Sequence, residues 1–275
     1  MKAASREALQ QLYAAIDETS SQSSNAVEVD SQTGLEIFEV VEAIEGDRPL
    51  RVALANNAAS AEQRVALADE VFSQHLSANA LNVLKKAVGL TWSTPRDLRT
   101  GLVAGARRIL LRGAEYKNQL EQVEQELFSL SRVLDREGEL CMLLSDRRVE
   151  VSKRRSLLAR LLEGKNITMF SEALVLHAVG RIEKDPASDV AALVEQAAEL
   201  RGHKVARVVS AGSLTDAQRE ALAEKLHTIY DHRMSIHNEV DPSLLGGVRI
   251  HVGNEVIDGS TKAKLARMRS ALSVG

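Results

Sequence analysis

One cysteine, Cys141, is all the thiol this 275-residue chain contains. It excludes an internal disulfide and fits a reducing compartment. Aromatic residues make up only 3% of the chain, and there are four prolines in all. Cores must therefore be built from aliphatic side chains, and the abundant Ala, Leu, Glu and Arg favour doing so with helices. Neither sign of charge prevails, because 35 Lys and Arg stand against 38 Asp and Glu, a net charge of −3. That balance leaves no basic footprint for nucleic acid. No run approaches the roughly 20 apolar residues needed to span a bilayer, and Met1 to Tyr13 lacks the apolar core of a signal peptide. The expectation is a soluble chain that reaches a membrane only through partners. Hydrophobic residues at 44% of 275 suffice for real cores, and two or three domains are expected at this length.

Along the chain, Ala3 to Glu18 reads as an amphipathic helix with Leu9, Leu12 and Ile16 on one stripe. Thr19 to Gly34 is polar and Ser-rich and reads as a connector. From Leu35 to Arg201 nearly everything reads as helix, broken at Gly46-Asp47, Asn56-Asn57, Gly89 to Pro95, Gly138, Gly164 and Asp185-Pro186. Short helices with short loops are the pattern of a bundle.

The breaks repeat. Leu50, Arg64 and Leu67 match Leu140, Arg154 and Leu157 at an offset of 90 residues. Gly89 and Pro95 match Gly180 and Pro186 at 91. This predicts two copies of one helical domain. Between them Ile109, Gly113, Tyr116, Leu120, Val123, Leu127, Leu130 and Leu134 form a heptad seam. A coiled-coil dimer is one reading of it. The other, preferred because Gly113 and Tyr116 weaken the seam, is a last helix of the first bundle running into the first of the second.

From Gly202 the period changes. Lys204 to Val209 has strand character, Thr215 N-caps a helix, and Arg233 to Val240 is a second strand candidate. Val248, Ile250 and Val252 alternate with Arg249 and His251, Gly253-Asn254 supplies a tight hairpin turn, and Glu255 to Asp258 returns. Ser260 or Thr261 can cap a last helix carrying Lys262, Lys264, Arg267 and Arg269. The expected fold is mainly α, with two tandem helical bundles (1–106 and 107–202) and a small α/β domain (203–275).

Other motifs are weak. Gly164-Lys165 follows no Gly-rich loop and reads as a helix C-cap. His227, His232 and His237 are evenly spaced but lack further ligands for zinc. Cys141 reads as a buried small hydrophobe, Asn166-Ile167-Thr168 as a sequon without secretory context, and Gly101-xxx-Gly105 as a close helix contact. No convergent carboxylate pair, cofactor loop or metal set is visible, so no catalytic residue is assigned.

The run Glu239 to Val248, EVDPSLLGGV, followed by Gly253 to Ser260, GNEVIDGS, resembles the C-terminal signature of the delta subunit of rotary ATP synthases, a family that includes the mitochondrial oligomycin-sensitivity-conferring protein. The resemblance implies a non-catalytic stator at the cytoplasmic face of the membrane, joining the catalytic head to the peripheral stalk. It implies as partners the N-terminal segments of alpha subunits, gripped by a helical bundle, and the end of the b subunit, met by the C-terminal domain. Two bundles lead to the expectation that more than one alpha segment is held. Arg6, Leu9, Leu12, Tyr13 and Ile16 are the candidates for the head, and Lys262, Lys264, Arg267 and Arg269 for the stalk. A generic helical adaptor is the alternative.

Overall fold

The structure, a computed structural model, describes residues 1–21, 26–244 and 246–265, the side chains of 19–21 and 26–30 excepted. In chain order the helices are α1 (Ala3–Ser21), α2 (Ala26–Gly46), α3 (Arg48–Leu54), α4 (Ala61–Phe72), α5 (Ala78–Gly89), α6 (Pro95–Tyr116), α7 (Leu120–Arg136), α8 (Gly138–Ser145), α9 (Val151–Leu162), α10 (Met169–Gly180) and α11 (Pro186–Leu200). Then come β1 (His203–Ser210), α12 (Asp216–Tyr230), β2 (Arg233–Val240), β3 (Val248–Val252) and β4 (Glu255–Asp258). The chain is mainly helical with a small sheet near its end. Its two compact units are Met1–Val123 with Met142–Glu183, and Glu124–Cys141 with Lys184–Gly275. These divide the chain elsewhere than at 106 and 202.

In the first unit α2 packs most extensively on α6, and α1 and α5 also pack on α6. Local chemistry starts these helices. Ser60 and Gln63 form a capping box at α4, Ser77 accepts from the Ala80 amide at α5, and Thr94 from the Asp97 amide at α6. Pro95 occupies the first turn of α6, where its missing N–H costs nothing. Gly101 and Gly105 on α6 are spaces for neighbours: a Cβ on Gly101 would stand 2.1 Å from the Trp92 ring, and one on Gly105 3.3 Å from Leu12 and Ile16. Trp92 is 1% exposed, and its Nε1 donates to the Ala87 carbonyl at 2.7 Å. Gly101→Ala is therefore expected to displace the indole and cost about 2 kcal/mol of overpacking. Urea denaturation followed by the fluorescence of Trp92, the sole tryptophan, checks this.

Two expectations are corrected here. The described residues of Thr19 to Gly34 are helical rather than a connector, because α1 runs to Ser21 and α2 starts at Ala26. Gly34 lies inside α2, where a Cβ would sit 2.7 Å from Leu110 Cγ, so its missing side chain lets α2 close on α6. That packing overrides the local preference of a polar stretch. The seam, too, is not one helix. Asn118 takes φ 55°, and the Gln119 amide donates to the Ala114 carbonyl at 2.8 Å, which ends α6 before α7 begins. Asn tolerates the left-handed region better than most residues, and sequence periodicity does not register such a cap.

The repeated positions do the same work twice. Buried Arg64 on α4 donates to the carbonyls of Val88 and Gly89, and buried Arg154 on α9 to those of Val179 and Gly180. Ala80, Val83, Leu84, Ala87 and Val88 are buried on α5, and Ser171, Leu174, Val175, Ala178 and Val179 on α10 at an offset of 91. Leu54 and Leu144 are both fully buried.

In the second unit the sheet order is β2-β1-β3-β4, with β1 parallel to β2 and antiparallel to β3. Ala206, Val208, Met234, Ile250 and Val252 bury one face around Leu226 of α12. On α12, Thr215 and Gln218 form a capping box. The hairpin turns at Gly253, φ 55°, and pairs Val252 with Glu255. Ser260 accepts from the Ala263 amide and opens the helical turn that follows.

Candidate functional site

On the first unit α1, α4 and α5 leave a groove of about 500 Å³ lined by Leu12, Ala15, Ile16, Val65, Asn82, Val83, Lys85 and Lys86. Leu12 and Ile16 are its floor, 1% and 2% exposed because they also pack against Gly105. Val83 is nearly buried, Asn82 and Lys86 are exposed at the rim, and Lys85 is held by Asp69 at 2.6 Å. Lys86 has no carboxylate partner among the described residues. An apolar floor with a cationic rim suits an amphipathic helix bearing acidic residues.

The walls are fixed from outside the groove. Ser5 accepts from the Ser93 amide and donates to Asp97, both at 2.9 Å, tying the start of α1 to that of α6. Asp17 receives Arg108 and Arg112 at 2.6 to 2.9 Å. Burial by itself would raise the Asp17 pKa, but the two guanidiniums outweigh it and hold it at about 2. At the head of α5, Glu36 of α2 accepts from both the amide and the hydroxyl of Ser77.

Of the residues expected to meet the head, Leu12 and Ile16 reach the groove, Arg6 is exposed, Leu9 is half-buried, and Tyr13 is half-buried with the Arg108 guanidinium 4.5 Å over its ring. Val65, Val83 and Lys86 escape sequence reasoning, because the groove exists only once three helices meet. Toward the other end, Lys262 and Lys264 are exposed, and Arg267 and Arg269 lie outside the described residues.

In the second unit a buried ionic cluster joins α7, the residue after α11, and β2. Glu124, 1% exposed, accepts from Arg201 at 2.7 Å and bonds His237 Nε2 at 2.7 Å, and the His237 ring stacks on Phe128 at 4.4 Å. Burial would raise the Glu124 pKa, but the hydrogen bonds from His237 and Arg201 outweigh it and lower it. His237 is thus hydrogen-bonded to Glu124 and stacked on Phe128 rather than grouped with His227 and His232. Among the described residues, no group of three His, Cys, Asp or Glu is arranged to hold a metal. Cys141 is half-buried, and its neighbours Met142 and Leu143 are 68% and 52% exposed, so it is not the core hydrophobe expected from sequence. One turn of α8 simply faces outward there. Among the described residues no helix is long and apolar enough to cross a membrane.

A family model described as ATP synthase delta (OSCP) subunit matches residues 109–272. The ATP synthase subunit delta of Corynebacterium aurimucosum is 54% identical over 99% of this chain and 100% of its own. Those of Corynebacterium glutamicum and Corynebacterium jeikeium are 52% and 44% identical over the same shares. A chain of the Toxoplasma gondii mitochondrial ATP synthase hexamer aligns with 60% of this chain and 94% of its own, at a TM-score of 0.34 and 20% identity. That likeness carries no argument.

Proposed function

We propose a function from a plain premise: the chain belongs to the ATP synthase delta (OSCP) subunit family, as a component of the peripheral stalk. It acts as a stator without catalysing a reaction, at the cytoplasmic face of the membrane. The helical part holds an N-terminal helix of an alpha subunit, and the C-terminal domain meets the end of the b subunit. The observation that carries the reading is the groove floored by Leu12, Ile16 and Val83, with Lys86 at its rim. Its apolar floor and cationic rim suit one amphipathic helix, and such a contact needs no mobile parts in a body that resists torque. The three-part division is retained as ancestry, two copies of a bundle followed by the α/β domain. The exposed Lys262 and Lys264, with Arg267 and Arg269, are proposed to steer the stalk helix by charge.

Co-purification tests this. Tagged protein is expected to bring both alpha and b subunits with it. Asn82→Tyr with Lys86→Glu plugs and recharges the groove at two exposed positions. That variant is expected to lose alpha about tenfold and keep b. Capture of unrelated helical proteins with neither subunit would favour the generic adaptor.

A further inference from the structure

The second copy of the bundle carries its own version of the groove, and α2 of the same chain lies on it. Val65, Val83 and Lys86 of the first groove correspond to Arg155, Leu174 and His177, at offsets of 90, 91 and 91 residues. The correspondence holds in space as well as in sequence. Gly89 faces Val65, the nearest atom to its would-be Cβ, and Gly180 faces Arg155 in the same manner. On α10 the His177 ring is stacked face to face on Phe38 of α2, with centroids 3.5 Å apart and planes 8° from parallel. One turn further along α2, Glu42 forms an ion pair with Arg155. Phe38 and His177 are 5% and 4% exposed, so this contact is sealed from water. An aromatic residue and a carboxylate four apart lie on one helix face, which is how an amphipathic ligand would present them.

We propose that α2 is the resident ligand of the second groove, so that the duplicated protein offers a single free groove, which takes one acidic helix. This rests on the stator reading of the first groove and sharpens it. The two grooves also differ in what they accept. Where α2 sets Phe38 on His177, the free groove presents Lys86; where α2 sets Glu42 on Arg155, it presents Val65. The fitting occupant reverses the order, with an acidic residue over Lys86 and an apolar one a turn later over Val65. A helix of the α2 type would put a carboxylate against Val65 with no cation to receive it, because Lys85 is already held by Asp69. Leaving a charge unpaired in this way rejects the wrong helix. Duplication therefore yields one filled groove that binds the two copies within the first unit, and one vacant groove of different specificity.

The test is calorimetric titration of the full chain with a synthetic peptide of about twenty residues from the N-terminus of the cognate alpha subunit. One peptide per chain is expected. Lys86→Glu should weaken binding tenfold or more, and a peptide with its contacting acidic residue changed to Lys should recover most of that loss. Glu42→Lys sets two cations against each other and should open the second groove to a peptide of α2's own sequence around Phe38 and Glu42, which the wild-type chain does not take, while the alpha peptide stays at one per chain. Phe38→Ala should do the same, and because Phe38 is buried while Glu42 is half-exposed, the Glu42 variant decides if the other fails to fold. Two alpha peptides on the wild-type chain, or a folded Glu42→Lys that takes no α2 peptide, would overturn this inference and leave the stator reading intact. No peptide bound by the wild-type chain would overturn the reading of the first groove as the seat of an alpha-subunit helix.

Discussion

Replacing Arg64 by Met is expected to cost the first unit about 3 kcal/mol, and replacing Arg154 about half as much. Arg64 is 5% exposed and spends its whole guanidinium on backbone. Its Nε donates to Val88, Nη1 to Asn56 and Ala59, and Nη2 to Gly89 and Leu90, at 2.8 to 3.3 Å. These are the free carbonyls at the end of α5 and in the loop after α3, where no helical amide is left to serve them. The positive charge also sits at the negative end of the α5 dipole. Met matches the stem but takes the donor from the Ala59, Val88, Gly89 and Leu90 carbonyls, while Asn56 keeps the Ala59 amide. Lys should restore less than half of the loss, because one ammonium cannot span a set of carbonyls spaced for a planar fork. Arg154 does the same task with fewer bonds, to Leu144, Val179 and Gly180, and its Nε is buried without a partner. Burial, then the charges of Arg155 and Arg147, lowers its pKa, the mark of a cation less well compensated than an ion pair would make it. Urea midpoints of the two variants, read from Trp92 fluorescence, check the order. Equal losses would mean that hydrogen-bond number does not set the cost.

The same pair of arginines illustrates how far a sequence can be read. Their offset is visible in the chain, and so is the punctuation that ends α3 or starts α6, α8 and α11. The hairpin after Val248 is legible too, since Gly253-Asn254 dictates the turn and alternation dictates the register. Each of these depends on neighbours within a few residues. The misread places depend on partners far along the chain. Gly34 becomes helical because Leu110 needs its space; Asn118 is the exception, a local cap that breaks the heptad pattern through its own backbone and that periodicity does not register. Leu12 and Ile16 look from sequence like an exposed stripe for a partner, yet they also form the core against Gly105. The filling of the second groove by α2 was not readable at all, because Phe38 and His177 lie 139 residues apart.

Stability of the first unit is expected to fall as pH drops below about 6.5, and His177 is the reason. Its imidazole is packed against Phe38, its Nδ1 is buried without a partner, and Arg107, Arg155 and Arg181 lie around it. Burial first, and then these three cations, push its pKa down from 6.5 to about 2. Between those two values the unfolded chain takes up a proton that the folded one refuses, so acid favours unfolding. The loss begins as pH falls through 6.5 and approaches about 1.4 kcal/mol per pH unit, roughly 2.5 kcal/mol by pH 4.5. Asp17, held at about 2 against an ordinary 3.8, also loses its contribution in acid, but only below that window. His177→Leu keeps an apolar group on Phe38 and removes the proton site. Its stability should change little from pH 7.5 to 4.5, while the parent loses most of the predicted amount. Trp92 fluorescence reads the first unit directly and leaves aside His251, a lowered histidine of the second unit. Parallel pH profiles for the two proteins would show that His177 is not the titrating group. A flat profile in the variant would instead mark the contact between α2 and α10 as the acid-labile joint of this unit, the same contact that fills the second groove.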